Sequence, residues 1–312
     1  MPDNTIADNV LVIVGPTGVG KTDLALELAT EIDGEIISAD SRLFYRGMDI
    51  GTAKPTLEQR QQVKHYLIDV AEADEVWSLS VFQQKVKEAI QVIQSRGKKV
   101  ILVGGTGQYV RAITEGWQIP PQQPDERFRI VLEKWGKQIG AEELHRKLTI
   151  IDPVAAAKID PQNIRRTIRA LEVILMTGVL FSSQKMKITP EEKFWMIGLM
   201  RPRAELYARI DARIEEMFTN GFIEETRKLI EKGLPLENPN LSAIGYREIC
   251  QYLGGSLSIE GAKIEMRKKT REFVRRQTNW FKLDDPAIHW YDMNDNPLHK
   301  ILEDLRQEKI VS

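Results

Sequence analysis

The sequence predicts an α/β fold, with a mainly parallel sheet interrupted by an inserted helical subdomain. Short apolar runs of strand length alternate with segments of helical periodicity from residue 10 to about residue 109. A glycine-rich loop joins the first of these runs to the first helical segment. A proline-rich connector then precedes a stretch of helical spacing, and strand-like character returns near residue 190.

The first strand, the loop and the first helix form one continuous pattern. Val10–Val14 is an apolar, β-branched run typical of a buried strand, and the loop after it fits G-x-x-x-x-G-K-[ST]. The loop consists of Gly15, Pro16, Thr17, Gly18, Val19, Gly20, Lys21 and Thr22. In such a P-loop, backbone N–H groups and a helix N-terminus converge on phosphate oxygens. The pattern predicts a P-loop NTPase-like core with Lys21 as point charge and Thr22 as magnesium ligand. A glycine turn entering an ordinary helix is the alternative.

An acidic residue follows the second predicted strand. Glu35–Asp40 has strand character and ends at Asp40, so this carboxylate is placed at the carboxyl edge of the sheet. Ligands of doubly wound sheets bind outside the carboxyl ends of the strands. The sequence therefore predicts that Asp40 belongs to the site, with a helix N-cap as the alternative role.

The next strand-like run lacks the acid that many P-loop proteins use. Lys98–Val103 leads into Gly104-Gly105-Thr106-Gly107, whereas a P-loop NTPase usually holds magnesium with a carboxylate after a later strand. The guanine-reading pattern Asn/Thr-Lys-x-Asp does not occur either. These observations argue against a motor protein and against a switch GTPase.

The connector Gly116–Pro124 opens the insertion, and residues 125 to about 186 follow helical spacing. Phe194–Met200 is strand-like, and Arg203–Phe218 and Phe222–Lys232 are predicted helices. We therefore predict a first part of the core at residues 1–115, an inserted helical subdomain at 116–190, and a continuation of the core with a basic helical segment and a C-terminal tail at 191–312.

The charge is close to balanced overall but uneven along the chain. The 312 residues carry a formal net charge of −1, yet seven basic residues and only two acidic ones lie between Lys263 and Arg276. Arg267, Arg271 and Arg275 recur at helical spacing, which predicts a cationic helix face suited to a phosphate backbone. A solvated helix surface is the alternative reading.

Several classes of protein are disfavoured by composition. The one cysteine, Cys250, excludes an intramolecular disulfide and a cysteine-based zinc cluster. No apolar run approaches the roughly 18 residues of a membrane span. The first residues lack the basic and apolar regions of a signal peptide. The sequence thus predicts a cytoplasmic protein without contact with a membrane.

Six further motifs follow the P-loop in order: Asp40–Pro55, His65–Asp69, Gly104–Tyr109, Arg166–Val173, Ile244–Glu248 and Thr270–Trp280. Together with the first strand they run from residue 10 to about residue 281, and this many motifs in order are more specific than a lone P-loop. In these motifs the chain resembles the tRNA dimethylallyltransferase family, also called tRNA isopentenyltransferase, of the bacterial type without a zinc finger. The resemblance implies that the inserted subdomain at 116–190 binds tRNA.

The resemblance implies a reaction. A dimethylallyl group would pass from dimethylallyl diphosphate to N6 of the adenosine at position 37, next to the anticodon of tRNA, and pyrophosphate would leave. Mg²⁺ is the implied cofactor, the anticodon stem-loop of tRNA is the implied partner, and we expect a monomer. In this reaction the P-loop would hold a departing diphosphate, so no motor-type carboxylate is needed.

The resemblance also implies roles for individual residues. Asp40 would be the general base, Thr106 would bond the adenine or orient Asp40, and Lys21 would stabilise the leaving group. The alternative for Thr106 is a hydroxyl that satisfies its own glycine turn. Arg247 would contact the diphosphate, with an ion pair to Glu248 or Glu224 as the alternative. Contacts to tRNA are expected from Asp40, Ser41, Arg42, Leu43, Thr106, Asp160, Pro161, Gln162, Asn163, Ile164, Arg271, Arg275 and Gln277.

This chain departs from the family pattern at two places. Asn163 stands where an arginine is common, and Ser242 occupies a position that is often Arg or Gln. Arg165, Arg166 and Arg169 would either reach phosphates or anchor the insertion internally. Three other functions remain open: a P-loop kinase with ATP as donor, an isopentenyltransferase acting on free AMP, ADP or ATP, and a tRNA-binding protein without enzymatic activity.

Overall fold

A parallel sheet of six strands forms the centre of the larger of two compact units. The computed structural model describes residues 9–118, 125–184 and 188–311. The strands lie in the order β3-β2-β4-β1-β5-β6, and every neighbouring pair is parallel. They are β1 (Asn9–Val14), β2 (Gly34–Ser38), β3 (His65–Tyr66), β4 (Lys99–Val103), β5 (Lys193–Met200) and β6 (Ile288–Asp292).

Helices cover this sheet and connect its strands. In chain order they are α1 (Lys21–Glu31), α2 (Leu57–Gln62), α3 (Leu79–Gln94), α4 (Gly107–Thr114), α9 (Arg203–Thr219), α10 (Phe222–Glu231), α11 (Tyr246–Leu253), α12 (Ile259–Gln277) and α13 (Leu298–Gln307), while α5 to α8 belong to the second unit. The predicted fold class, α/β with a mainly parallel sheet, is confirmed.

The register of the central strands explains why one edge of the sheet is crowded with functional loops. Ile13 pairs with Val103 and Val14 pairs with Gly198, so β1 and β4 end within one residue of each other and β5 extends two residues further. The N–H of Ala39 donates to the carbonyl of Val103, which places the chain after β2 beside the turn after β4. The P-loop, Asp40 and the Gly104–Gly107 turn therefore emerge at one edge.

Four strands agree with the runs predicted from the sequence, and two were missed. The second strand ends at Ser38, two residues before its predicted end at Asp40. The missed strand β3 has only two residues, too few to show a period. The missed strand β6 reads Ile-His-Trp-Tyr-Asp, without the alternation of apolar and polar residues that identifies a half-buried strand.

The second compact unit comprises residues 78–80 and 115–189. Its helices are α5 (Glu126–Ile139), α6 (Ala141–Ile151), α7 (Pro153–Ala156) and α8 (Ile164–Thr177). Leu132, Leu144, Leu148 and Leu171 are buried at its centre. Pro153 occupies the first turn of α7, where a missing N–H costs nothing. Residues 119–124 of the predicted connector lie outside the described residues. Residues 185–187, near the end of the predicted insertion, lie outside them as well.

One carboxylate organises the long loop between β2 and α2. Glu225 of α10 accepts hydrogen bonds from the N–H groups of Asp49 (2.9 Å), Ile50 (2.7 Å) and Gly51 (3.1 Å). It also accepts one from the Tyr246 hydroxyl at 2.6 Å. Burial and the nearby Glu225 charge raise the pKa of Tyr246, so its hydroxyl stays a donor. The loop is thus attached to α10 and α11 by one side chain.

Replacing Glu225 by Ala removes the acceptor of these four groups. We expect the free energy of unfolding to fall by roughly 2–3 kcal/mol, because partly buried donors lose their partner. Urea denaturation followed by circular dichroism measures this loss. The neighbouring Glu224→Ala is the matched control, since Glu224 is exposed and its ion pair with a described residue is the exposed one with Arg227. Its change should stay within about 0.5 kcal/mol. Equal urea midpoints for the two variants would refute the assigned role of Glu225.

Candidate active site

The P-loop has the backbone geometry that its glycines predict. Gly18 and Gly20 have φ values of +84° and +109°, which residues with a Cβ rarely adopt. A Cβ on Gly15 would lie 2.7 Å from the carbonyl oxygen of Leu199, so only glycine fits against β5. Helix α1 begins at Lys21 without a side-chain cap on its first N–H groups. The loop therefore presents free N–H groups of a helix N-terminus to an anion.

Lys21 lies folded against its own loop. Its Nζ donates to the carbonyl oxygens of Gly15 (3.0 Å) and Pro16 (2.9 Å). Burial lowers the pKa of Lys21 to about 8, and the nearby Arg213 charge also lowers it, while Asp40 acts in the opposite direction. An anion bound at the loop would stabilise the charged ammonium and raise this pKa again.

Two arginines hold the outer side of the P-loop. Arg209 of α9 donates from Nε to the carbonyl of Gly18 at 2.8 Å. Arg201, just before α9, donates from Nε to the carbonyl of Val19 at 3.0 Å. These bonds occupy carbonyl groups that would otherwise oppose an approaching anion, and they fix the direction of the loop N–H groups.

Asp40 stands half-buried at the carboxyl end of β2, as predicted. Its Oδ1 accepts the N–H of Arg42 at 3.0 Å, so it closes a local turn and does not cap a helix. No described residue donates to its Oδ2. Asp40 interacts electrostatically with Lys21 and with Arg213. One oxygen of the carboxylate is therefore free to accept a proton beside two cations.

Asp40 borders a cavity of about 390 Å³ in the larger unit. Thr17 is the P-loop residue on its wall, and Lys21 lies behind that wall, in electrostatic contact with Asp40. Five of the predicted site residues line it: Thr17, Asp40, Ser41, Arg42 and Thr106. Ile210, Arg213, Ile214, Met217 and Met266 of its wall belong to no motif found in the sequence, whereas Phe273 belongs to the motif Thr270–Trp280 but was not predicted as a site residue. Ser242, the position that departs from the family pattern, also lines the cavity. The cavity lies between the P-loop, the loop after β2 and the two helices α9 and α12.

Arg213 is the functional residue that sequence reasoning missed. It lies three residues after Ile210 on α9, with its Nη2 donating to the carbonyl of Thr52 at 3.3 Å. Its Nε is buried without a hydrogen-bond partner in the described part of the chain. Burial lowers the pKa of Arg213, and Asp40 opposes that shift. The sequence did contain a signal for this residue, because an arginine within the apolar stripe of a predicted helix directs its cation towards the interior.

Thr106 and Gln277 belong to one hydrogen-bonded corner. The carbonyl of Thr106 accepts from Tyr109 and Val110 and starts α4, while its side chain lines the cavity. Gln277 is 3% exposed. Its Oε1 accepts the N–H of Thr17 at 2.9 Å, and its Nε2 donates to the carbonyl of Gly105 at 2.9 Å. Gln277 therefore joins the P-loop to the turn that carries Thr106.

Three residues predicted to contact substrate do not line this cavity. Gln277 is buried, and both ends of its amide are bonded within the protein. Arg247 is exposed on α11, and among the described residues neither alternative ion pair forms, since Glu248 accepts the N–H of Gly245 and Glu224 pairs with Arg227. Leu43 is half-buried, and its N–H donates to the carbonyl of Asp40.

The predicted cationic face of α12 is present, and ion pairs with acidic residues of α9 neutralise part of its charge. Arg267 pairs with Asp211 and Glu215 of α9, and Arg271 pairs with Asp211 at 2.6 Å. Arg275 is exposed and makes no ion pair with a described residue. Ile264, Arg267, Lys268, Arg271 and Arg275 line an open depression of about 290 Å³. Arg271 and Arg275 thus lie on one surface, as predicted.

The predicted segment Asp160–Ile164 lies in the second unit. Asp160, Pro161, Gln162 and Asn163 are exposed, and Ile164 packs on the helical core. Asn163, which stands in place of an arginine, caps α8 by accepting the N–H of Arg166 at 3.1 Å. The three arginines that follow were expected either to reach phosphates or to anchor the insertion internally, and their surroundings differ. Arg165 and Arg166 are exposed, whereas Arg169 pairs with the buried Glu172 at 2.9 Å.

Residues 9–118, 125–184 and 188–311 contain no group of three His, Cys, Asp or Glu side chains placed to hold a metal. The loop offers the Thr22 hydroxyl in the first turn of α1, next to Lys21, which interacts electrostatically with Asp40. This hydroxyl fits Mg²⁺, which is commonly bound by few protein ligands together with phosphate oxygens and water. Among the described helices, none combines the length and the apolar composition that a membrane span requires.

Comparison with known proteins gives a consistent result. A family model described as IPP transferase matches residues 43–284. The tRNA dimethylallyltransferase of Thermomicrobium roseum is 45% identical over 284 residues, which are 91% of this chain and 86% of that protein. The tRNA isopentenylpyrophosphate transferase of Bacillus halodurans has a similar structure, with a TM-score of 0.72, 38% identity and 96% of each chain covered.

A eukaryotic dimethylallyltransferase acting on tRNA is also similar in structure, with a TM-score of 0.78. It is 26% identical, and the match covers 96% of this chain and 78% of that one. Solved proteins from a bacterium and from a eukaryote therefore share this fold.

The Gln277 bridge can be tested by stability. Replacing Gln277 by Ala leaves the N–H of Thr17 and the buried carbonyl of Gly105 without partners, so we expect a loss of roughly 2–4 kcal/mol in the free energy of unfolding. Chemical denaturation measures it, with the exposed Gln108→Ala as control. If Gln277→Ala were as stable as the control, the two hydrogen bonds of Gln277 would contribute nothing to the free energy of unfolding.

Proposed function

Because this chain belongs to the IPP transferase family, we propose that it is a tRNA dimethylallyltransferase. It transfers a dimethylallyl group from dimethylallyl diphosphate to N6 of the adenosine at position 37, next to the anticodon of tRNA, and releases pyrophosphate. One observation supports this most strongly: a single cavity brings a P-loop and a buried arginine, Arg213, to the same place as a carboxylate with a free oxygen, Asp40. Such a site binds a diphosphate and accepts a proton.

The diphosphate occupies the cationic side of the cavity. As the C–O bond of the donor breaks, negative charge grows on the bridging oxygen. The N–H groups at the start of α1, the Lys21 ammonium and the Arg213 guanidinium stabilise that charge. Arg213 takes the role first given to Arg247, because it lines the cavity and has an unsatisfied Nε.

Asp40 acts as the general base. The adenine amino group is a weak nucleophile, so removing its proton as the C–N bond forms makes the attack easier. The free Oδ2 of Asp40 takes that proton, and the bond from the N–H of Arg42 to Oδ1 fixes the orientation of the carboxylate. Thr106, on the cavity wall, contacts the adenine or orients the base.

The acceptor is a tRNA whose adenosine leaves the anticodon stack to enter the cavity. Arg271 and Arg275 on α12 and the exposed segment Asp160–Asn163 of the second unit are surfaces for its backbone. Thr22 and the diphosphate would hold Mg²⁺, which neutralises charge on the leaving group when bound. We place the enzyme in the cytoplasm with its tRNA and expect it to be a monomer.

The decisive test combines the protein, Mg²⁺, unmodified tRNA and dimethylallyl diphosphate, with mass spectrometry of the digested nucleosides. We expect a gain of one dimethylallyl group on adenosine. Asp40→Asn should lower kcat by about 100-fold to 10,000-fold, because the base is lost while the shape is kept. Asp74→Asn, on an exposed loop, is the matched control and should match the wild type.

The other candidate functions give different products in the same assay. Prenylated AMP, ADP or ATP with unchanged tRNA would assign the chain to the enzymes that act on free nucleotides. Phosphoryl transfer from ATP without dimethylallyl diphosphate would make it a kinase. Binding of tRNA with no product of either kind would make it a binding protein.

The low pKa of Lys21 predicts how donor binding depends on pH. Below pH 8 the ammonium is charged in the free protein, so an unreactive dimethylallyl thiolodiphosphate binds without taking up a proton. Above pH 8 free Lys21 is neutral and binding must restore its proton, so affinity should fall by up to about tenfold per pH unit.

Calorimetry between pH 7 and pH 9.5 measures this, including the proton taken up at the higher pH. Lys21→Met should bind weakly with little dependence on pH, whereas Lys232→Met, at an exposed position, should follow the wild type. A constant affinity of the wild type over this range would contradict the assignment of Lys21 to the diphosphate.

A further inference from the structure

The wall of the cavity opposite the polar loops is apolar, and it comes from two helices. Ile210, Ile214 and Met217 lie at i, i+4 and i+7 on α9, so they form one stripe. Met266 of α12 completes the wall. Met266 is 2% exposed and Met217 is 9% exposed. A stripe this well buried that still borders a cavity is available to an apolar part of a ligand.

The stripe has a direction relative to the P-loop. Ile210 marks the near end, because a Cβ placed on Gly18 would lie 3.4 Å from Ile210 Cγ1. Arg213 follows one turn later on the same side. Met217 is seven residues beyond Ile210, which is about 10 Å along a helix. A diphosphate at the P-loop therefore directs its organic group along α9 towards Met217.

The far end of the cavity has rigid parts and adaptable parts. Gly51 lines it, and a Cβ there would lie 2.2 Å from the Phe222 ring and 2.6 Å from the Tyr246 ring, so packed aromatic rings stand behind this backbone. Met266 Cε lies 3.4 Å from the Cβ position of Gly245. Methionine side chains are unbranched and fill irregular space. Met217 and Met266 thus fill the space that a longer chain would need.

We propose that Met217 and Met266 determine the length of the prenyl group that this enzyme accepts, by closing the cavity behind a five-carbon chain. The proposal rests on the proposed function, because it gives the apolar wall to the dimethylallyl group. The chemistry is unchanged for a longer donor: the C–O bond to the diphosphate breaks, the C–N bond to adenine forms, and Asp40 takes the proton. The selection is therefore steric.

The experiment compares dimethylallyl diphosphate with geranyl diphosphate, the ten-carbon donor, on the same tRNA. The variants are Met217→Ala, Met266→Ala and the double variant, with Met176→Ala, an exposed residue of the second unit, as control. The measured quantity is the ratio of kcat/KM for the two donors. We expect the double variant to raise the geranyl-to-dimethylallyl ratio at least about tenfold over wild type, and the control to leave it unchanged.

The outcomes separate the two proposals. A wild type that prenylates tRNA, together with a double variant that folds and keeps the wild-type ratio, would overturn the role of the methionines and leave the function intact. A wild type that transfers neither group to tRNA would overturn the function itself. If the double variant does not fold by circular dichroism, Met217→Val and Met266→Val decide by the same ratio. Met217→Phe should act in the other direction and raise KM for dimethylallyl diphosphate.

Discussion

Two partly desolvated cations beside one carboxylate are the arrangement on which the rest of the site depends. Burial removes hydration from both Lys21 and Arg213, and Asp40 supplies only one opposite charge beside them. Such an arrangement is unfavourable for the folded protein and favourable for a bound diphosphate, which brings the missing negative charge. It also holds the cations in place before the leaving group develops its charge, so little reorganisation is needed during the reaction.

Holding these charges in position requires support from residues that never touch a substrate. Gln277 joins the P-loop to the turn after β4, and Arg209 and Arg201 bind the outer carbonyls of the P-loop. Glu225 fixes the loop that follows Asp40 through three backbone N–H groups. Gln277, which the family resemblance marks as a tRNA contact, belongs to this frame, and the hydrogen bonds of the frame set the relative positions of the base and the cations.

Helix α12 connects the two kinds of surface that the proposed reaction needs. On one side, Met266 and Phe273 line the cavity, and its last residue Gln277 is bonded to the P-loop. On another side, Arg271 and Arg275 border the basic depression. A rigid helix of this kind keeps a constant distance between an RNA backbone outside and a prenyl donor inside. The residues on α9 that pair with its arginines reduce non-specific attraction and set the direction of their side chains.

The sequence by itself determined the fold class and the polar half of the site. Local signals were sufficient there, because the P-loop and Asp40 each follow a strand whose carboxyl end had to lie at the same edge of a parallel sheet. Only the tertiary structure decided that Arg213 faces the cavity, that Gln277 is buried and that Arg247 is exposed. These outcomes depend on how α9, α11 and α12 pack against loops distant in the chain. A helical period shows which residues share a face, but the packing partners decide which face meets the site.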